Sequence, residues 1–141
     1  MKFRSVVAVG VLAALVLVAA AVGAVQKNSL HATLNGKVEV PKGDPDGRGT
    51  AEIKITGSKV CWELKTSKIA TPKAAHIHKG RPGKAGPVVV PLGATYKAKG
   101  CATATMAVAS AIQRNPARYY VNVHNAKYPA GAVRGQLQNE D

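Results

Sequence analysis

TAEIKITGSKVCWELKT (residues 50–66) is the stretch that decides the fold class. Successive side chains of a β-strand point to opposite faces. Ala51, Ile53 and Ile55 alternate with Glu52 and Lys54, and Val60, Trp62 and Leu64 alternate with Cys61, Glu63 and Lys65. Between the two runs stands Gly57-Ser58, a two-residue connection of the kind that closes a tight hairpin. The stretch therefore reads as two antiparallel strands, each with one apolar and one wet face.

The same punctuation continues on both sides. HATLNGKVEV (31–40) reads as a leading strand, stopped by the turn-rich PKGDPDGRG (41–49). AAHIH (74–78) is a strand followed by the loop KGRPGKAG (79–86), and PVVVPL (87–92) is an apolar run that fits a buried strand ended by Pro91. TYKAKGCATAT (95–105) is weaker strand material. MAVASAIQRN (106–115) is the one candidate helix, ended by Pro116. RYYVNVH (118–124) is a strong strand, YPAG (128–131) a turn, and AVRGQLQ (132–138) the closing strand, with NED (139–141) expected to fray. Seven or eight antiparallel strands with one short helix predict an all-β fold, a β-sandwich or Greek-key barrel.

The N-terminus has a different composition. Lys2 and Arg4 precede a run from Val6 to Val25 without a charged residue, and Val22-Gly23-Ala24 carries small residues suited to a signal peptidase. Residues 1–24 are expected to be a signal peptide or an uncleaved membrane anchor, since the run nearly reaches the ~20 residues that span a bilayer. Residues 25–30 are expected to be a linker and 31–138 the folded domain. The positive charges stay inside, so the domain is expected to be extracytoplasmic: secreted, or anchored on the outer face of the cytoplasmic membrane. The two cysteines, Cys61 and Cys101, then meet an oxidising compartment and read as a disulfide.

The net charge is +13, and removing Lys2 and Arg4 with none of the seven acids leaves +11. The cations are spread without a basic run, and aromatics make up only 4% of the chain, too few for a base-stacking platform. Nucleic acid is therefore excluded as a partner. The charge reads either as a solvated cationic surface or as attraction to anionic envelope polymers; those polymers or an extracellular protein are the candidate partners, with membrane contact only through an uncleaved N-terminal segment.

Enzyme templates are absent. There is no Gly-x-Ser-x-Gly elbow, the acids are scattered, and the glycines of GRPGKAG lie between two strands rather than opening a helix. No catalytic residue is assigned. The chemistry-bearing candidates are histidines. His76 and His78 share one strand face, and His124 shares a face with Tyr120 and Asn122. If the two strands are neighbours, His76, His78 and His124 make a three-nitrogen site for copper or zinc. The other reading is structural, with the rings bonded to strand ends and loop carbonyls. His31 is the weakest candidate. Arg134, mid-strand, reads as a packed arginine bonded to loop carbonyls or a carboxylate, or as a binding residue for an anionic ligand.

Three segments together resemble the CHRD domain, the module named after chordin and found in many microbial exported proteins: Leu34–Pro41, Ala74–Leu92 and Tyr120–Leu137. The likeness covers about His31 to Leu137. Its characteristic positions fall on Glu39, Pro41, His76, His78, Gly86, Pro87, Asn122, His124, Pro129, Gly131, Arg134 and Gly135. Asn125 stands where the family usually has threonine, and Ala132 where it often has an acid. The cysteines are not part of the pattern. The resemblance implies an extracytoplasmic β-sandwich with no established catalytic activity, acting as a binding or structural module of the cell envelope. A second likeness, to copper/zinc superoxide dismutase, rests on the His-x-His strand and the late histidine. Four histidines cannot supply that enzyme's dinuclear site, so it supports at most a mononuclear copper or zinc site on His76, His78 and His124.

Overall fold

The hairpin read from residues 50–66 forms as expected. In a computed structural model, which describes residues 28–140, β2 (Arg48–Thr56) pairs with β3 (Lys59–Ser67) through the two-residue turn Gly57-Ser58. Before it lies β1 (Ser29–Asn35); after it come β4 (Pro72–Lys79), β5 (Val88–Pro91) and β6 (Lys99–Thr103). The helix α1 (Met106–Arg114) precedes β7 (Tyr119–Asn125), β8 (Val133–Gln136) and the short β9 (Gln138–Asn139). The leader assigned to residues 1–24 and the start of the linker lie outside the described residues.

All pairings are antiparallel, and the strands run in the order β5-β4-β7-β8-β1-β2-β3-β6, with β9 also pairing with β1. One core takes side chains from both arms of this sheet: Leu30 and Leu34 from β1, Ile53 and Ile55 from β2, Val60 and Trp62 from β3, Ile77 from β4, and Val121 and Val123 from β7. A flat sheet could not bring β4 and β3 onto one cluster, so the sheet curls into a near-barrel. Ala109 and Ile112 of α1 pack into the same core. The helix starts where the Thr105 hydroxyl accepts from the Val108 N–H and stops at Asn115, before Pro116. Among the described residues, every buried residue of the core lies between Leu30 and Leu137, all within the fragment 25–141.

Cys61 and Cys101 are directly opposed in the β3–β6 ladder and joined by a disulfide. The wet face of β3 is thereby tied to the edge strand β6.

Three local expectations change. The leading strand stops at Asn35 rather than running to Val40. The Asn35 side chain accepts from the Lys37 N–H and starts a one-turn 3-10 helix, Gly36–Val38, after which Glu39 is buried. PVVVPL is a sheet edge, with Val90 buried but Val88 45% exposed. Asn139 is not frayed: it pairs with Leu30.

The barrel has a second, partly buried layer. His76, Asn122, Arg134 and Asn35 form one transverse register row across β4, β7, β8 and β1. With His78, Tyr120, His124 and Gln136, the first three lie on the sheet face opposite the apolar core. That face is covered by the 80–87 loop and by the 36–44 segment, whose Asp44 N–H donates to the Ala132 carbonyl.

Candidate metal centre

Ile77 points into the core and is fully buried, which sends His76 and His78 to the covered outer face, as the alternation of β4 requires. Val121 and Val123 do the same for Asn122 and His124 on β7. Because β4 and β7 are hydrogen-bonded neighbours, the three histidines come together. One ring nitrogen of each lies within 4.8 Å of the others. His31, on β1, is outside this group.

Two of the rings have their tautomers set by the backbone. A carbonyl oxygen only accepts, so His78 Nδ1–H donates to the Gly86 carbonyl at 2.8 Å and His124 Nδ1–H donates to the Pro129 carbonyl at 2.9 Å. Each Nε2 is left with a bare lone pair. His78 Nε2 is buried and has no hydrogen-bond partner. His124 Nε2 has His76 Nδ1 and Asn122 Oδ1 each at 2.9 Å. With its own proton on Nδ1, it faces the amide oxygen lone pair to lone pair. An arrangement rich in acceptors and short of protons offers the donor set that a cation would need.

Burial holds all three imidazoles below the usual histidine range. His76 falls to about 4 through burial and then the neighbouring His124 and His78. His78 and His124 are lowered by burial against the opposing pull of the Gly86 and Pro129 carbonyls. Neutral imidazole is the form that ligates a metal.

The support around the rings is stacked. The Tyr120 ring lies parallel to His78, with centroids 4.9 Å apart. Arg134 covers the Tyr120 ring at 3.5 Å. Arg134 is 2% exposed, and its guanidinium donates to the Lys84 carbonyl at 3.0 Å, the Arg81 carbonyl at 3.4 Å and Gln136 Oε1 at 3.4 Å. It thus straps the 80–87 loop over the histidine layer. Gly86 completes the strap by donating its N–H to the Tyr120 hydroxyl. A Cβ there would collide with the Lys79 carbonyl oxygen.

Beyond Asn122 lies a buried carboxyl. Glu39 is 3% exposed, and burial pushes it up to about 7 against the opposing charge of Arg134, a hydrogen bond from the Val40 N–H and the nearby Asn122 amide. It sits against Gly131, whose φ of 139° and missing Cβ leave room for the carboxylate. Residue type alone places Glu39 among scattered acids and gives Tyr120 no role. Only the family likeness singled out Glu39, because its partners are 83 to 95 positions away in the sequence.

No curated protein and no solved structure matches the chain. The family model of the CHRD domain matches residues 30–137, which is most of the chain and holds all three histidines, Asn122, Arg134 and Glu39. The chain belongs to the CHRD-domain family.

Proposed function

We propose that this CHRD domain is an exported module of the cell envelope that holds one divalent metal ion, copper or zinc, on His76 Nδ1, His78 Nε2 and His124 Nε2, with Asn122 Oδ1 as an additional oxygen donor. The observation that carries the reading is the convergence of three neutral imidazoles, two with Nδ1 pinned by backbone carbonyls and one with a buried, unpartnered Nε2. Nitrogen ligands suit zinc and copper, and a carbonyl on the far nitrogen is the usual means of orienting such a ligand. Metal–nitrogen bonds of about 2.0–2.1 Å set tetrahedral ligand nitrogens roughly 3.3 Å apart, so the His76–His124 pair, now at 2.9 Å, would open a little and the widest separation in the triad, within 4.8 Å, would close. His76 would pass its Nδ1 proton to Nε2 as it ligates. Three nitrogens leave coordination positions open to an outside molecule. Export is supported by the disulfide, which persists in oxidising compartments, and the cationic chain suits an anionic envelope.

The test is calorimetric titration of the 25–141 fragment with Cu²⁺ and Zn²⁺, beside His76→Ala/His78→Ala. One-to-one, sub-micromolar binding that the double variant loses is the expected result. Absence of binding by the wild-type fragment overturns the reading and leaves the rings as scaffold.

A further inference from the structure

The Gly36–Val38 turn and the 80–87 loop leave a cleft of about 410 Å³ between them, lined by Thr33, Lys37, Val38, Glu39, Val40, Pro82, Gly83, Arg134, Gly135 and Gln136. Ligand sites run from about 300 to 1,000 Å³ and combine apolar walls with a few converging polar groups. Val38, Val40 and Pro82 supply the walls here. Val38 is 51% exposed, so an apolar surface is presented at the cleft.

The polar groups are unusual. Glu39 and Arg134 are 3% and 2% exposed and line the same cleft. They do not form an ion pair of the kind that joins Glu63 to Lys65 and Lys99. Glu39 Oε1 is buried without a hydrogen-bond partner. Arg134 has five N–H donors, and its three hydrogen bonds leave some of them unused. Lys37 adds a second cation. An unsatisfied buried carboxyl oxygen needs a donor, and two cations against one acid favour an anion. The cleft over Thr50 and Lys65, by contrast, is lined by no buried charged group.

We propose that this cleft binds a small organic acid carrying a hydroxyl or amine beside its carboxylate, the carboxylate facing Lys37 and Arg134 and the donor facing Glu39. Sugar acids and amino acids share that chemistry. The cleft shares Arg134 and Glu39 with the support of the histidine centre but needs no metal, so a chelator separates the two.

The experiment is an amide NMR titration of the 15N-labelled 25–141 fragment in chelator, with D-glucuronate, L-alanine and D-glucose as probes. Saturating shifts at Thr33, Lys37, Gly83 and Gln136 with glucuronate, alanine or both are expected, with none for glucose. The acid that binds identifies the source. Lys37→Glu, at the exposed edge, should weaken binding by at least about tenfold. Thr33→Phe, which fills the cleft, should abolish it, with both spectra otherwise unchanged. Saturation by neither acid, equal saturation by glucose, or undiminished binding by both variants overturns the proposal.

Discussion

His76 Nδ1 lies 2.9 Å from His124 Nε2, although the register partner of His124 is Ala74 and that of His76 is Asn122. The contact is therefore diagonal across β4 and β7. It is possible because Ala74, with only a methyl group, stands opposite His124. The diagonal aims three imidazoles at one region with Asn122 beside them.

Replacing His124 by Ala should weaken Cu²⁺ or Zn²⁺ binding by more than the ~10–100-fold that loss of a mere supporting partner costs. His31→Ala should bind as wild type. Calorimetric titration of both variants checks this, and equal losses in the two would remove His124 from the site.

The histidines should make the metal-free fold acid-sensitive. Their folded values lie below the ordinary 6.5, His76 at about 4. A depressed folded value means that stability is fully present above about 6.5 and is lost as the pH falls through the folded value. Thermal melts between pH 7 and 4 should show a falling midpoint, and the fall should be shallower in His76→Ala.

Glu39 has the opposite sign. Its folded value is raised from 4.5 to about 7, so its contribution is present below 4.5 and lost as the pH rises through 7. Glu39→Gln should be near neutral at pH 4.5 and more stable than wild type at pH 8 by on the order of 2–3 kcal/mol. Urea unfolding at the two pH values measures the difference, and a gain that does not depend on pH would show that burial of charge is not its cause.

Gly86→Ala should destabilise the domain by about 2–3 kcal/mol, because its Cβ would collide with the Lys79 carbonyl. The 80–87 strap would shift, taking with it the acceptor of His78 Nδ1–H. Metal affinity should fall in parallel. Wild-type affinity in a destabilised variant would separate the strap from the site.

Cys61→Ser/Cys101→Ser should cost about 2–4 kcal/mol on the chain-entropy account of a loop of this length, since the bridge spans a separation of 40 residues. The histidine layer lies on other strands, so metal stoichiometry should be unchanged. Denaturant unfolding with a metal titration on the same sample tests both halves.

The sequence by itself determined where most of the strands and α1 fall and the faces of β2, β3, β4 and β7, because alternation is a local property that burial of one face enforces. It also put His76 and His78 on one face. The early end of β1 escaped notice because Asn35 serves equally well in a strand edge or as the cap of a turn. Tertiary structure alone decided that β4 neighbours β7, that Arg134 straps a loop 50 residues earlier in the chain, and that Glu39 is buried beside Asn122. Pairing between distant strands depends on how the whole sheet curls around one core, and no local pattern of residues records which strands become neighbours.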